Sequence, residues 1–207
     1  MAGGCYMAQY RQAGKIDITA AEYQELKPFT PGFDKVLYHA GLSVNSHEFS
    51  GLMMIKSFEG GSFKVAFFNE LGMNFFDLEL LPDNKNGRLE LLVNHIYPPL
   101  DRKILLNNFE KYFNMLLAPG LESGDQRSFL REDGNMVMIR LNTYKGRDAY
   151  LSRNLIEPYA SIVNLSKLRG NDRITIILSP GKENFAPESI HIKQPGMRME
   201  MDLELVN

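Results

Sequence analysis

Apolar and polar residues alternate with a period of two along most of the chain after residue 33. Segments of this kind, separated by residues that favour turns, are typical of antiparallel strands with one buried and one solvated face. The last segment shows the pattern clearly, because Met199, Met201 and Leu203 alternate with acidic residues. The alternation predicts eleven strands, at residues 34–44, 48–58, 62–69, 74–81, 88–94, 135–144, 147–153, 160–165, 173–179, 188–193 and 197–206.

Residues 100–117 depart from this alternation. Leu105, Phe109 and Phe113 recur there at helical spacing, with a Pro-Pro pair before the segment and a Pro-Gly pair after it. Proline fits the first turn of a helix and interrupts a helix interior. The segment is therefore predicted to form one amphipathic helix, and a second, shorter helix is predicted at residues 20–26.

The number of strands indicates how the chain folds. Long, strongly twisted sheets bend or close so that their apolar face is buried. We therefore predict a mainly β (α+β) protein: a single curled antiparallel sheet forms an incomplete, half-open barrel of about 11 strands, and one or more helices cover its concave apolar face. The predicted units are an N-terminal lipoprotein-like segment with a short helix at residues 1–32 and the half-barrel domain at residues 33–207.

The charge balance and the cysteine count exclude several classes of protein. Lys and Arg number 23 and Asp and Glu number 25, which gives a formal net charge of -2 at pH 7. This balance offers no electrostatic basis for binding phosphate backbones, so no nucleic acid partner is expected. The single cysteine, Cys5, excludes an internal disulfide and a metal site built from several thiolates. The apolar runs are far shorter than the ~20 residues of a spanning helix.

The sequence contains no catalytic motif with the spacing that its chemistry requires. Phosphate-binding Gly-rich loops, the Gly-x-Ser-x-Gly elbow and the His-Glu-x-x-His zinc motif do not occur in it. The four histidines are scattered, and none has a second histidine two to four residues away. We therefore expect no enzyme activity and no cofactor. We also expect no metal ion, because lone strand histidines usually have structural or surface roles; the alternative is a metal site assembled from distant strands. An enzyme built on the loops at residues 145–171 would need titratable groups that converge in a cleft.

Methionine is unusually frequent, with 11 residues. Its flexible, polarizable side chain suits a surface that fits ligands of variable shape, such as acyl chains. The alternative interpretation is that these side chains simply fill a core. The residues predicted to line the concave face and bind a ligand are Met54, Phe63, Val65, Phe67, Phe76, Leu78, Leu80, Phe109, Phe113, Met197, Met199 and Met201.

The residues Gly3-Gly4-Cys5 are similar to the end of a bacterial lipoprotein signal, in which small residues precede an acylated cysteine. On this interpretation Cys5 carries a lipid anchor. The alternative interpretation is an ordinary thiol in a frayed terminus. Tyr6 follows the cysteine, whereas the known inner-membrane retention signal of enteric lipoproteins has an aspartate there.

Residues 69–80 read Asn-Glu-Leu-Gly-Met-Asn-Phe-Phe-Asp-Leu-Glu-Leu. This segment resembles the Asn-Pro-Leu-Gly segment, followed by an alternating strand, of the LolB family of outer-membrane lipoprotein receptors, which are partners of the periplasmic carrier LolA. The order of the predicted parts across residues 33–207 is also similar to that family, including the mid-chain helix. The chain departs from the family pattern in having Glu70 at the position of the proline and in having no tryptophan.

The resemblance implies an unclosed barrel whose apolar concavity holds the acyl chains of lipoproteins, or another lipid, and transfers them without covalent chemistry. Leu71 matches the protruding leucine by which the receptor delivers its cargo into the membrane. The alternative is that Leu71 is tucked under its turn as a minor core residue. The expected partners are these acyl chains, a periplasmic carrier protein and the outer membrane of a bacterial cell envelope, on whose periplasmic face a lipidated Cys5 would anchor the chain.

A different class of function remains open at this point. A structural or scaffolding lipoprotein would use the same sheet to present an edge or a loop to a protein partner. The volume of the concavity distinguishes the two hypotheses, since a cavity of ~300 Å³ or more favours ligand binding and a filled interior favours scaffolding.

Overall fold

The strands form one antiparallel sheet in the computed structural model, which describes residues 14–15, 27–29, 33–83, 88–117, 129–132, 136–144, 147–154, 160–165, 174–179 and 186–206. The strands are β1 (Gly14–Lys15), β2 (Lys35–Val44), β3 (His47–Ser57), β4 (Phe63–Phe68), β5 (Asn74–Asp83), β6 (Arg88–Ile96), β7 (Phe129–Glu132), β8 (Met136–Tyr144), β9 (Arg147–Asn154), β10 (Ala160–Leu165), β11 (Ile174–Ser179), β12 (Ser189–Gln194) and β13 (Met199–Leu205). A 3₁₀ turn at Pro98–Leu100 leads into the α-helix α1 (Lys103–Leu117).

The strand order is β1-β7-β8-β9-β10-β11-β12-β13-β2-β3-β4-β5-β6. Most neighbours in the sheet are also neighbours in sequence, as hairpins require. The pairing of β13 with β2 joins the last strand to the first long one, for example through Met201 opposite Leu42. Because β1 and β6 lie at opposite ends of this order, the sheet is not closed into a barrel.

The predicted fold class is confirmed. All eleven predicted strands are present, as β2–β6 and β8–β13. Each strand begins and ends within two residues of the predicted position. The prediction missed β1 and β7, which have two and four residues and are too short to show alternation. The long predicted helix is present as the 3₁₀ turn followed by α1, whereas the helix predicted at residues 20–26 lies outside the described residues.

The core lies between α1 and the inner face of the sheet, which is the face that carries the buried residues of each strand. The ring of Phe109 on α1 contacts that of Phe76 on β5, with centroids 5.2 Å apart. Phe113 follows one turn later, and its side chain is also fully buried. Burying a side chain of this size stabilises the fold by about 1.5–3 kcal/mol. The apolar stripe of α1 and the period-two alternation of the strands are thus complementary surfaces.

Two glycines in neighbouring strands differ sharply in their surroundings. A Cβ on Gly51 of β3 would lie 2.8 Å from the Cα of Asn69 and closer still to the carbonyl oxygen of Phe68. A Cβ on Gly41 of β2 would meet no atom within 4 Å. The end of β4 therefore passes so close to β3 that position 51 requires glycine, whereas position 41 faces open space.

This difference makes a direct test of the packing at the end of β4. We expect Gly51→Ala to lower the free energy of unfolding by about 1–3 kcal/mol, because backbone has to move to admit the methyl group. The matched control Gly41→Ala should change it by less than about 0.5 kcal/mol. Urea denaturation of the two variants measures both values, and equal stability of the two would contradict the close approach of β4 to Gly51.

Candidate functional site

Most of the residues predicted to line the concave face lie on the inner face of the sheet or on α1, and they are buried. The structure brings together one contiguous core cluster that contains them. Two of the set, Phe63 and Met197, are partly buried and pack against the rest. The fully buried members are Val65, Phe67, Phe76, Leu78, Leu80, Phe109, Phe113, Met199 and Met201.

Met54 is the exception, and its predicted position on the inner face is wrong. The buried residues of β3 are Met53 and Ile55, so alternation places Met54 on the opposite, outer face. Lys56 shares that outer face, and its ammonium lies 5.1 Å from the ring centroid of the exposed Phe58. The need to keep Lys56 in contact with water sets the register of the strand, and this signal was present in the sequence.

The inner face is not vacant where α1 covers it. Phe76 and Phe109 contact each other directly, and Phe109 lies 6.5 Å from Tyr112 between ring centroids. Side chains of α1 thus occupy the positions that an acyl chain would take on the sheet. A ligand can reach the inner face beneath α1 only if the helix moves away from it.

Polar contacts fix the orientation of α1, and the sequence analysis missed them. The side-chain amide of Asn114 donates to the carbonyl oxygen of Leu89 and accepts from the Leu89 amide, both at 2.8 Å. Asn114 thereby pairs with the backbone of β6 as a neighbouring strand would. Asn108 donates to the carbonyl oxygen of Ile104 at 2.8 Å and also contacts Met197. Two asparagines on the otherwise apolar face of the predicted helix indicated buried polar contacts, but a local pattern does not identify their partners.

Tyr112 adds a third polar contact under α1. Its hydroxyl donates to the side-chain oxygen of Gln194 on β12 and lies 3.4 Å from the sulfur of Met199. Burial raises the pKa of the Tyr112 phenol well above its ordinary value, because the charged form would lose its hydration. Tyr38 on β2 has a raised pKa for the same reason and donates to the carbonyl oxygen of Pro187 at 3.0 Å. Both phenols therefore stay protonated and act as donors within the core.

The loop between β4 and β5 presents Leu71 to solvent. The side chain of Leu71 is 93% exposed, more than any other large apolar residue described. The side-chain oxygen of Asn69 accepts hydrogen bonds from the amides of Leu71 at 3.0 Å and Met73 at 2.8 Å. Gly72 adopts a φ of 80°, which suits glycine, and donates to the carbonyl oxygen of Asn69. The loop is thus a defined turn that holds an apolar side chain in water.

A cluster of aromatic rings supports the base of this loop. Phe75 lies 4.8 Å from Phe67 and 5.2 Å from Phe49 between ring centroids. Tyr97 completes the cluster, since its ring lies 6.2 Å from that of Phe75 and its amide donates to the Phe75 carbonyl oxygen at 2.7 Å. The loop therefore extends from a rigid part of the core.

A groove of about 530 Å³ adjoins the loop. It runs across the outer face of β13, β2 and β3 and ends at the Leu71 loop, so it lies on the opposite side of the sheet from α1. This position differs from the predicted concave cavity. Its lining residues are His39, Ala40, Gly41, Ser50, Gly51, Asn69, Glu70, Leu71, Asp202 and Glu204.

Three side chains on β12 and β13 could offer ligand atoms to a metal ion. His191, Glu200 and Asp202 place one such atom each within 4.8 Å of the others. The ring of His191 lies 2.5 Å from Asp202 through Nδ1 and 3.3 Å from Glu200 through Nε2, and Lys193 also contacts Glu200 at 3.5 Å. These contacts are cross-strand pairs on the outer face, and a metal ion would have to displace them.

Cys5, the predicted lipidation site, lies outside the described residues. No helix in the described part of the chain has the length and apolar character needed to cross a membrane.

The Asn69 side chain provides a test of the loop structure. We expect Asn69→Ala to accelerate hydrogen exchange at the Leu71 and Met73 amides and to lower stability by about 0.5–1.5 kcal/mol, because both amides lose their acceptor. Asn69→Asp keeps an acceptor oxygen and should retain the protection. Exchange measured by NMR checks this, and unchanged rates in Asn69→Ala would mean that the turn forms without the side chain.

Comparison with known proteins gives a structural match. The solved structure of a LolA superfamily protein from Nitrosomonas europaea matches the chain with a TM-score of 0.53 and 12% sequence identity, and it covers 92% of this chain and 93% of that chain. The sequence matches no protein family and no curated protein. At this identity the likeness concerns the fold. The open antiparallel sheet with a helix on its inner face is therefore a LolA-like fold.

Proposed function

We propose that this protein is a cell-envelope lipoprotein that binds acyl chains in its half-barrel and takes part in the localisation of lipoproteins to the outer membrane. The proposal includes a lipid anchor on Cys5, a position on the periplasmic face of the outer membrane, and a periplasmic carrier protein as the donor of the acylated cargo. Its support is the LolA-like fold together with an inner face built from apolar side chains.

The observation that most directly supports the proposal is the exposure of the Leu71 side chain to solvent. Exposure of the Leu71 side chain to water contributes no burial to the stability of the fold, yet a hydrogen bond from its amide to Asn69 and the aromatic cluster below the loop hold it in that position. Insertion of this side chain among lipid tails would bury it without any change in the fold. The loop is therefore suited to bring the protein into contact with the membrane that receives the cargo.

Binding of an acyl chain requires α1 to leave the inner face. The helix contributes several buried apolar side chains, including Leu105, Phe109 and Phe113, each worth about 1.5–3 kcal/mol. Burial of an acyl chain contributes ~0.8 kcal/mol per methylene, on the order of 10 kcal/mol for a chain of ordinary length. Relative to an acyl chain in water, the two contributions are similar in size, so burial of two or three chains can offset the displacement of α1.

The direct packing of α1 on the sheet favours a second candidate function. A protein whose inner face is permanently covered by its own helix would act as a scaffold, and the Leu71 loop would dock into a protein partner. Pure lipid vesicles distinguish the two candidates when Cys5 is not acylated, because a scaffold without its anchor has no affinity for them.

We expect Leu71→Glu to leave the fold intact, with a loss of stability under ~0.5 kcal/mol, because the side chain is exposed. In full-length protein whose Cys5 is not acylated, the same substitution should abolish binding to phospholipid vesicles and the transfer of an acylated lipoprotein into them, because a carboxylate does not enter lipid. Urea denaturation, vesicle flotation and a transfer assay measure the three effects.

Ile104→Glu is the matched control, since Ile104 is an exposed apolar residue in the first turn of α1, far along the chain from the loop. This variant should bind vesicles as the wild-type protein does. Unchanged vesicle binding by Leu71→Glu, or equal losses in the two variants, would contradict the role of the loop.

A further inference from the structure

The groove beside the Leu71 loop is formed by the pattern of residues on neighbouring strands. At Gly41 the base of the groove is strand backbone with no side chain above it, and a Cβ there would meet no atom within 4 Å. In the pairing of strands, Asp202 lies opposite Gly41 and Glu204 lies opposite His39. The wall at the other end is the loop itself, through Glu70 and Leu71. The groove therefore combines a bare backbone floor with carboxylates on both sides.

The lining of the groove carries a local excess of negative charge. Glu70, Asp202 and Glu204 are acidic, and of the lining residues His39 alone can carry a positive charge. Asp202 contacts His191 outside the groove. Among the described residues, neither Glu70 nor Glu204 takes part in an ion pair. These carboxylates are thus available to a cationic group that enters the groove from solvent.

We propose that this groove binds the ammonium headgroup of phosphatidylethanolamine in the membrane into which Leu71 inserts. The inference rests on the proposed membrane role of Leu71 and adds the class of lipid that the surface around it recognises. A primary ammonium has three N–H donors, which match carboxylate acceptors and backbone carbonyl groups.

The position of Leu71 favours a lipid as the occupant. Leu71 lines the groove itself, so insertion of its side chain below the headgroups brings the groove to headgroup level. The same carboxylates would repel a surface of anionic lipids. A quaternary choline group is cationic but has no N–H to donate, so it is the weaker ligand.

The test measures binding of full-length protein with an unacylated Cys5 to vesicles of phosphatidylcholine alone, phosphatidylcholine with phosphatidylethanolamine, and phosphatidylcholine with phosphatidylglycerol. Wild-type protein should bind the ethanolamine vesicles about fivefold more tightly than phosphatidylcholine alone, the range expected for exposed ion pairs. Vesicles that contain phosphatidylglycerol should bind the protein more weakly than either of the other two. Two variants alter the groove in different ways. The double variant Glu70→Gln with Glu204→Gln removes negative charge from its lining, and Gly41→Val fills space above the strand backbone at its base. Both should lose the ethanolamine preference and keep the residual binding to phosphatidylcholine.

Each outcome separates this inference from the proposal on which it rests. If the preference survives in both variants, or if the wild-type protein has none while still binding vesicles, the groove assignment is wrong and the role of Leu71 stands. If the wild-type protein binds no vesicles and Leu71→Glu changes nothing, the membrane role itself fails. A lysine-rich peptide tests the other possible occupant. If this peptide binds the wild-type protein and binds both variants more weakly, while the vesicles show no headgroup preference, the groove binds a basic protein segment. That result would overturn the lipid assignment.

Discussion

The contact between α1 and the inner face of the sheet keeps the apolar side of the sheet out of water. Strand alternation places aromatic, branched and methionine side chains on one side of the sheet, and that side would be exposed without a cover. Buried side chains of α1, among them Phe109 and Phe113, supply this cover, and Asn114 ties the helix to the backbone of β6. The same contact decides what the protein can do, because the helix occupies the surface that a lipid would use.

The two faces of the sheet thus have different chemistry. The inner face is apolar and covered, whereas the outer face carries cross-strand charges, the acidic groove and the exposed loop. A continuous set of rings joins these regions: Phe75 at the base of the loop contacts Phe67, Phe67 contacts Phe76 at 5.5 Å, and Phe76 contacts Phe109 on α1. The loop that presents Leu71 and the helix that covers the core are therefore connected through ring contacts on β4 and β5.

Much of this architecture could be predicted from local pattern. Alternation identified the eleven longer strands, and the flanking prolines identified α1, because both signals are contained within short windows of sequence. Either Met53 or Met54 could face the core, and the position of Lys56 on the solvated face of β3 decides in favour of Met53. The prediction of Met54 was wrong. The pairing of β13 with β2, the Asn114 contact and the acidic groove join residues far apart in sequence, so no local pattern reveals them. The exposure of Leu71 was one of two alternatives, and the hydrogen bonds of Asn69 decide it. The absence of enzyme activity, the role of Cys5 and the partners stay predictions.

In the proposed function, a lipid replaces α1 on the inner face of the sheet. The most direct test of this replacement is hydrogen exchange at the Leu89 amide, which donates to Asn114 on the helix, before and after addition of a tripalmitoylated lipopeptide. We expect the lipopeptide to bind and exchange at the Leu89 amide to accelerate, while the amides of β4 and β5 stay protected. Binding with unchanged exchange at Leu89, or no binding at all, would contradict it.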